Sequence, residues 1–403
     1  MALPLDDIRV VDFSWILAGP TLTRQLADHG AEVIKVESST HPDINRTAPP
    51  YKDGKPGLNR SGYWADYHAN KYSFSLNINH PKGLQVVKKL IAKSDVIVQN
   101  FTPGTMEAWG IGYEDLRKLK PDIIMVSISL YGQDGPYARR SGFGVYAEGM
   151  TGFSSLFGWP DRGSTGRQGA IGDHIVPFFG LSALLAALDH RDQTGEGQHL
   201  DLCQLDICAY LMAPLLLDYQ INGRETPRSG NRSPGSCPQG VYPCSGDDDW
   251  CSISISTDEE WHNFCLAMGN PDWSHDPKFA TFADRKANED ELDALIVSMT
   301  VNFSSEALMN LLQKYGVSAG AVLNAKGIYC DPQLQHREAV WYMEHPEMGR
   351  TGYRTAPFKL SLTPAEPRLP APCLGEHTEY VCTEILGMEE EEFGQLLNDG
   401  VFE

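Results

Sequence analysis

The segment Gly169-Ala-Ile-Gly-Asp-His174 places a carboxylate directly after a glycine, where backbone can approach a ligand closely. Asp173 also precedes the apolar run 175–179, in which Pro177 suits the first turn of a helix. The dipole and free N–H groups of a helix N-terminus keep a carboxylate ionised. Beside an apolar wall, such a carboxylate is a competent nucleophile toward an acyl carbon. The alternative interpretation is that Asp173 only caps the helix.

Other motifs that could carry chemistry are weaker or missing. His174 is interpreted as a packed or exposed histidine, and Asp12 and Asp206 lie in core-like runs that favour structural roles. The turn at 14–20 lacks Gly-x-Gly-x-x-Gly, and the chain has neither a Walker sequence nor a Gly-x-Ser-x-Gly elbow. These absences argue against a dinucleotide cofactor, a P-loop nucleotide site and a serine hydrolase.

Composition restricts the ligands and the compartment. A net charge of −20 argues against nucleic acid, and an anionic ligand would need a local positive pocket or a nest of backbone N–H groups. The nine cysteines include no C-x-x-C pair, which favours free thiols in a reducing cytoplasm and predicts no metal site. Residues 1–8 lack a secretory pattern. The apolar stretch 205–217 carries Asp206 and Pro214, which fits a buried helix better than a membrane span.

The elements that must position Asp173 alternate between strand and helix in the first half of the chain. The patterns predict a strand at 8–13, a helix at 18–29 closed by Gly30, and a strand at 31–36, which form one βαβ unit. Strands at 72–77, 95–99 and 123–129 follow, with helices at 81–93 and 113–118 between them. This alternation predicts an α/β fold with a mostly parallel sheet covered by helices.

The second half predicts a change of architecture. Helices at 176–191 and 204–221 flank the turn 194–197. Short strands and polar-faced helices then indicate a smaller α+β region. The predicted organisation is a large α/β part at 1–221, a linker at 222–239, a small α+β domain at 240–325, a return linker at 326–372, and a C-terminal helical part of the large domain at 373–403.

Short motifs occur in order along essentially the whole chain. They are Asp12-Phe13, Ala18-Gly-Pro20, Gly30-Ala-Glu-Val-Ile-Lys-Val-Glu37, Asn70-Lys71 with Leu76, Asp95-Val-Ile-Val-Gln-Asn-Phe-Thr-Pro-Gly104, Gly169-Ala-Ile-Gly-Asp173, Thr194-Gly-Glu-Gly197, Gly230-Asn-Arg232 and Leu374-Gly-Glu-His-Thr378. Together they resemble the class III CoA-transferase family, the CaiB/BaiF or formyl-CoA transferase-like group.

The resemblance implies both an architecture and a reaction. The fold would be a Rossmann-like large domain built from both chain ends, a small domain, and two interlocked subunits. Asp173 would attack the donor thioester to give a mixed anhydride and free CoA thiolate, which would then form an aspartyl-CoA thioester. The acceptor carboxylate would repeat these steps, with CoA as part of the acyl-CoA substrate and with water excluded.

The resemblance also carries over a set of CoA-binding positions. They are Leu17, Ala18, Leu76, Asn77, Ile78, Asn79, Asn100, Phe101, Thr102 and Phe143. Several positions depart from the family pattern: Ser38 and Ala108 replace phosphate-binding arginines, Leu17 replaces a glutamine, and Gly144 replaces an acidic residue. Lost arginines remove charge-assisted phosphate contacts worth about 1.5–3 kcal/mol each. Lys35, Lys71, Arg139 or Arg140 either compensates or is simply a surface charge.

These departures leave alternative functions open. A degenerate or non-catalytic subunit of a heteromeric transferase is the main alternative to an active homodimer. A 2-methylacyl-CoA racemase is disfavoured, because Phe143 stands where those relatives carry a histidine as second proton carrier. A third hypothesis, from a different functional class, is a nucleotide-binding regulatory protein without covalent chemistry.

The acceptor pocket is predicted from apolar side chains near the motifs. Trp15, Leu17, Phe143, Phe178 and Phe179 favour a bulky or aromatic carboxylic acid, such as a benzylsuccinate-like dicarboxylate, although each residue also fits simple core packing. Succinyl-CoA is the expected donor. No nucleic-acid or membrane partner is expected.

Overall fold

The computed structural model describes residues 2–165 and 170–402, so Gly169 of the predicted nucleophile motif lies outside the described residues. The chain divides into two compact units. The first unit draws on residues 1–154, 167–224 and 336–403, and the second on residues 155–166 and 225–335. Asp173 belongs to the first unit.

A six-stranded sheet forms the centre of the first unit, and its strands pair in parallel. The strands are β1 (Arg9–Asp12), β2 (Glu32–Glu37), β3 (Lys71–Ser75), β4 (Val96–Gln99), β5 (Ile124–Ser129) and β6 (His199–Cys203). Their spatial order is β3-β2-β1-β4-β5-β6. Runs of β-branched residues that are buried on both faces form strands of this kind. The predicted α/β fold with a parallel sheet is confirmed.

Helices alternate with these strands and cover both faces of the sheet. In chain order they are α1 (Ala18–Asp28), α2 (Gly62–His68), α3 (Pro81–Ala92), α4 (Thr105–Ala108), α5 (Tyr113–Leu119), α6 (Gly144–Met150), α7 (Phe153–Leu156), α8 (Ile171–Thr194), α9 (Gln204–Leu211) and α10 (Ala213–Asn222). Leu22 of α1 and Leu184 of α8 pack into one core cluster, whereas Leu90 of α3 packs into the cluster on the other face.

The structure corrects several predicted boundaries. Helix α8 begins at Ile171 rather than 176, so Pro177 lies inside the helix and not in its first turn. The sequence pattern predicts no strand at β6, because this edge strand is only partly buried and lacks a continuous apolar run. The single helix predicted at 204–221 is two helices that break at Met212, since Pro214 begins the second one.

Helix α8 has the length and composition of a membrane-crossing helix, with a mean hydropathy of 1.6 over an 18-residue stretch. It packs closely within the first unit: a Cβ added at Gly180 would lie 2.6 Å from side-chain atoms of Leu22 and of Leu202. One face of α8 therefore packs against α1 and β6.

The second unit has its own sheet and core. Strands β7 (Gln239–Pro243), β8 (Trp250–Ser254) and β9 (Ser318–Ala321) pair antiparallel. Its helices are α11 (Asp258–Ala267), α12 (Phe282–Ala287), α13 (Glu289–Thr300), α14 (Ser305–Lys314) and α15 (Ala325–Cys330). Ile253, Phe264 and Leu308 are buried together at its centre.

The chain then returns to the first unit. The segment predicted as a return linker contains α16 (Pro332–His336) and an antiparallel hairpin of β10 (Val340–His345) and β11 (Gly349–Arg354). Helices α17 (Thr378–Tyr380) and α18 (Glu390–Asn398) follow. Val381 and Phe402 are buried in the same cluster as Val11 of β1, so the C-terminal segment contributes to the core of the large sheet.

Candidate active site

The strand order creates a switch point between β1 and β4, because the chain proceeds in opposite directions across the sheet on either side of it. In open parallel sheets, ligands bind outside the carboxyl ends of the strands at such a point. The loops after β1 and β4, at 13–17 and 100–104, lie there. These loops carry Leu17, Asn100, Phe101 and Thr102 of the predicted CoA-binding set.

Asn100 ties these two loops together. Its Oδ1 accepts a hydrogen bond from the Trp15 backbone N–H at 2.7 Å, and its Nδ2 donates to the Trp15 carbonyl at 2.7 Å. The Ile16 N–H donates to the Asp43 carboxylate at 3.2 Å, and the Ile16 carbonyl accepts from Asn45 Nδ2. Each backbone N–H and C=O of Trp15 and Ile16 therefore has a side-chain partner.

Ile16 needs these bonds because its backbone lies in the left-handed region, at φ 69°. For a β-branched residue this conformation is an outlier, and it costs on the order of 1–3 kcal/mol. The Asp43 carboxylate that holds it is fully buried, with Lys35 Nζ at 3.7 Å. Burial outweighs that ammonium group and raises the pKa of Asp43. The loop is thus fixed in one conformation beside the start of α1.

The lysines of β2 and β3 are buried under this loop. Lys71 Nζ donates to Asp12 Oδ2 at 3.1 Å, and Lys35 Nζ donates to the Ser14 carbonyl at 2.7 Å. Neither lysine side chain has exposed surface. The predicted alternative that Lys35 and Lys71 are surface charges is therefore wrong, and buried carboxylates neutralise both. Both side chains point into a buried polar layer that includes Asp12 and Asp43, which the sequence pattern does not predict.

Asp173 occupies the first turn of α8 but does not cap it. The residue before the helix is Ala170, and the Ile171 and Gly172 N–H groups donate to the carboxylate of Glu148, which lies on α6. Pro177 has no N–H to donate to the Asp173 carbonyl, its helical partner four residues earlier. The capping role is filled by Glu148, so the Asp173 carboxylate is directed elsewhere.

The carboxylate of Asp173 contacts Gln204 and Gly144. Gln204 Nε2, at the start of α9, donates to Asp173 Oδ1 at 2.7 Å. A Cβ added at Gly144 would lie 2.6 Å from Asp173 Oδ2, so this packing requires glycine at that position. Burial raises the pKa of Asp173; the Gln204 hydrogen bond opposes this shift, and the nearby Glu148 carboxylate adds to it.

Several residues around Asp173 were missed by sequence reasoning. Gln204, Glu148 and Tyr63 belong to no recognised motif, and they lie 31, 25 and 110 positions from Asp173 in the chain. Tyr63 is near enough for the Asp173 carboxylate to contribute, after burial, to the raised pKa of its phenol. No local spacing rule relates such distant positions, so only the packing of α2, α6, α8 and α9 reveals them.

The predicted CoA-binding residues fall into two groups. Leu17 directly precedes α1 and Ala18 begins it. The remainder of the first group follow β3 and β4: Leu76, Asn77, Ile78, Asn79, Asn100, Phe101 and Thr102. The ring centroids of Trp15 and Phe101 lie 6.0 Å apart in an edge-to-face arrangement, which links the loops after β1 and β4. Phe143 forms the second group: it directly precedes Gly144 of the Asp173 contact and is 59% exposed.

The apolar residues predicted to form an acceptor pocket are not all near the Asp173 carboxylate. Phe178 and Phe179 lie five and six positions further along α8. At about 100° per residue, they point roughly 140° and 120° away from Asp173 around the helix axis. Only Phe143 of this set directly adjoins a residue in contact with the carboxylate.

A cavity of about 480 Å³ opens beside the loops that follow β4 and β5. Its lining includes Gly104, Glu107, Asp134, Arg139 and His199. Arg139 contributes a long cationic side chain to the lining of this cavity. The Arg140 guanidinium instead stacks on the Tyr137 ring, with its Cζ 4.2 Å from the ring centroid. The two positions where the resemblance implies arginines have different surroundings. The Ser38 hydroxyl hydrogen-bonds with that of Thr40. Ala108 is the last residue of α4 and follows Glu107.

The strand order and the site at the carboxyl edge of the sheet define a doubly wound α/β protein, in which the Asp173 carboxylate lies in the first turn of a helix. Comparisons with known proteins give the family. Residues 5–378 match the family model described as CoA-transferase family III. The chain belongs to this family and is a CoA-transferase acting on CoA thioester substrates, which confirms the resemblance drawn from the motifs.

Individual relatives cover nearly the whole chain. The succinyl-CoA–D-citramalate CoA-transferase of Chloroflexus aurantiacus is 35% identical, over 98% of this chain and 96% of its own length. The beta subunit of the succinyl-CoA–L-malate CoA-transferase of the same organism is 32% identical, over 98% and 97%. A solved CaiB/BaiF family protein from Brucella suis has a TM-score of 0.87 and 30% identity, covering 96% of this chain and 100% of its own.

Proposed function

We propose that this chain transfers CoA from succinyl-CoA to a dicarboxylic acid, with Asp173 as the covalent nucleophile. The donor and acceptor classes follow the two Chloroflexus relatives, which are named for succinyl-CoA with D-citramalate and with L-malate. One observation carries the role of Asp173: Glu148 satisfies the start of α8, which leaves the Asp173 carboxylate for chemistry.

The proposed reaction has balanced covalent steps. An Asp173 carboxylate oxygen bonds to the acyl carbon of succinyl-CoA, the C–S bond breaks, and CoA leaves as thiolate with the bonding electron pair. The thiolate attacks Asp173 Cγ, and succinate leaves with the bridging oxygen. The acceptor carboxylate displaces CoA from Cγ, and the thiolate then attacks the acceptor carbonyl carbon and releases Asp173. Thioester energy is conserved as long as water is excluded.

The electrostatics of Asp173 support this role. Burial and the Glu148 carboxylate raise its pKa, which makes the oxygen more basic than that of an exposed aspartate. The group remains a nucleophile only while ionised, so activity is expected to fall as the pH drops through this raised pKa. A perturbed carboxylate beside the ligand edge of the sheet is the expected signature of such a site.

Trapping of the covalent intermediate tests the proposal. Wild-type protein, mixed with succinyl-CoA and hydroxylamine, is expected to carry a hydroxamate on the Asp173 peptide in mass analysis. Asp173→Asn is expected to lose CoA transfer by several orders of magnitude, because an amide cannot form the anhydride. Asp192→Asn, at the exposed C-terminal end of the same helix, is the matched control. Undiminished activity of Asp173→Asn would reject the nucleophile.

We also propose where CoA binds. The predicted residues Leu17, Ala18, Leu76, Asn77, Ile78, Asn79, Asn100, Phe101, Thr102 and Phe143 would line its path from the switch point to Asp173. The Asn100 amide is engaged with Trp15, which supports a role in shaping the loop rather than direct contact through its side chain. Arg139 is the cation we propose to replace the family arginines at the phosphates, since it lines the 480 Å³ cavity.

A bulky or aromatic acceptor, such as a benzylsuccinate-like dicarboxylate, is the second candidate substrate. The exposed Phe143 ring beside Gly144 favours it. Steady-state rates with succinyl-CoA as donor and citramalate, malate or benzylsuccinate as acceptor distinguish the two. Highest kcat/KM for the small hydroxy acids supports the first assignment, highest kcat/KM for benzylsuccinate supports the second, and a preference for formate or oxalate would reject both.

Subunit organisation is part of the proposal. Two interlocked copies, each with the large and small domains and linkers bounded as predicted above, would form a cytoplasmic homodimer. A heteromer with a paralogous subunit is the alternative, supported by the relative that is named a beta subunit. CoA transfer by the purified chain alone would support the homodimer, whereas activity that requires a second polypeptide would support the heteromer.

A further inference from the structure

Gln204 is a buried polar residue with an incomplete set of partners. Its side chain has 7% exposed surface, and its Nε2 donates to Asp173 Oδ1 at 2.7 Å. Within the described part of the chain, its Oε1 is buried without a hydrogen-bond partner. An unsatisfied buried acceptor lowers stability, and an apolar side chain of equal size would avoid this cost. The contact with Asp173 is therefore the feature that accounts for glutamine here.

The two oxygens of Asp173 have different surroundings. Oδ1 holds the Gln204 hydrogen bond, whereas Oδ2 lies over Gly144, where any side chain would come within 2.6 Å. Oδ2 packs this closely against residue 144 only because that residue is glycine, and the Gly144 backbone N–H also donates a hydrogen bond to the carboxylate. In an acyl-aspartyl anhydride, one oxygen must bridge to the acyl carbon while the other becomes a carbonyl oxygen on Cγ.

We propose that Gln204 is a catalytic residue, whose Nε2–H group stabilises the oxyanion that forms on Asp173 Oδ1 each time Cγ is attacked. This inference rests on the proposed nucleophilic role of Asp173. Oδ2 bonds to the acyl carbon and leaves with succinate when the Cγ–Oδ2 bond breaks, an oxygen of the acceptor carboxylate later takes its place, and Oδ1 stays on Cγ throughout. When thiolate or acceptor carboxylate adds to Cγ, the C=O electron pair moves onto Oδ1, and it returns as the leaving group departs.

The geometry fits an oxyanion donor. Effective donors lie about 2.7–3.1 Å from the oxygen that becomes charged, in a site held rigid before reaction. The Gln204 distance lies in this range, and its position at the start of α9, directly after β6, fixes the side chain to the core. Loss of one such donor lowers kcat by about 10²–10³-fold.

The test measures formation of the aspartyl-CoA thioester, a step in which Cγ is attacked. Wild-type protein and Gln204→Met are mixed with succinyl-CoA in the absence of acceptor, quenched with acid, and weighed by mass spectrometry for the CoA adduct. We expect the Met variant to form the adduct, and to turn over, about 10²–10³-fold more slowly. The KM for succinyl-CoA is expected to change little, because the donor acts on a charge that is absent from bound substrate.

Two further variants separate catalysis from folding. Gln204→Met is expected to keep a thermal midpoint close to that of wild type, since it removes a buried orphan acceptor together with the donor. Gln204→Glu places a second carboxylate beside Asp173, so the acidic limb of the kcat/KM profile is expected to move to higher pH. Asp206→Asn, an exposed change in the same turn of α9, is the control that leaves both readouts unchanged.

The outcomes distinguish this inference from the function on which it rests. If wild-type protein forms no adduct on Asp173, the nucleophilic mechanism fails. If wild-type protein forms the adduct and Gln204→Met forms it at the same rate, only the role of Gln204 is overturned. An unmoved acidic limb in Gln204→Glu would likewise overturn it.

Discussion

Glu148 links helix structure to the chemistry of Asp173. Its carboxylate accepts hydrogen bonds from the Ile171 and Gly172 N–H groups and, as a like charge, also helps to raise the pKa of Asp173. One side chain therefore both frees the nucleophile from capping and tunes its ionisation. The larger cause of the raised pKa is burial, which any variant of Glu148 leaves in place.

Glu148→Gln is expected to shift the acidic limb of the kcat/KM profile to lower pH. The amide oxygen still accepts from the start of α8, but the like charge that disfavours ionised Asp173 is gone. Because the raised pKa reports a cost of ionising Asp173 in the folded state, the fold should also gain stability above that pKa. Rates measured from acidic to neutral pH give the shift, and Asp192→Asn is the control.

At the scale of elements, the loop after β1 depends on side chains from other parts of the chain. Asn100 comes from the end of β4, and Asp43 and Asn45 come from the segment after β2. Together they hold Ile16 in the left-handed conformation that orients Trp15 and the start of α1. Hydrogen bonds within the protein therefore connect the loops after β1 and β4 at the switch point of the sheet.

Asn100→Ala is expected to lower the free energy of unfolding by about 1–3 kcal/mol, because it leaves the Trp15 N–H and C=O without their partner. It should also raise the KM for succinyl-CoA, since the loop loses its fixed conformation. Urea denaturation and steady-state rates measure the two effects. Asn398→Ala, on the exposed side of α18, is the stability control. A KM unchanged in a destabilised protein would show that the loop does not position substrate.

At the scale of the molecule, the helices around the site expose many large apolar side chains. They are Phe178, Phe179, Leu185, Tyr210, Leu216, Leu217, Tyr219 and Ile221, on α8, α9 and α10. Ile221 is 75% exposed and Tyr210 is 69% exposed. Large exposed apolar patches mark interaction sites, so the exposed apolar side chains on these three helices favour a partner surface. A second copy of the chain is the partner that the proposed dimer supplies.

The chain is expected to elute with twice its 44.6 kDa mass in size-exclusion chromatography with light scattering. The double variant Leu217→Asp with Ile221→Asp should shift it to the single-chain mass, because charges on a buried apolar interface carry an uncompensated desolvation cost. Lys326→Asp, an exposed residue in the first turn of α15 that changes the net charge by the same amount, is the matched charge control. A monomeric wild-type protein with full activity would contradict the dimer.

The sequence by itself determined the parallel sheet and the position of Asp173 at a helix start. Buried β-branched runs and Gly-containing turns are local signals, and the Gly-Ala-Ile-Gly-Asp motif is contiguous. It did not determine β6, a partly buried edge strand without an apolar run, or the break between α9 and α10.

Only the tertiary structure decided what surrounds the carboxylate. Gln204 reaches Asp173 across 31 positions, Glu148 takes over the capping that Asp173 could have supplied, and Lys35 and Lys71 are buried ion-pair partners instead of surface charges. The physical reason is that hydrogen bonds and desolvation depend on which atoms meet in space. Local spacing fixes the element that a residue belongs to, whereas the packing of separate elements fixes its partners and its pKa.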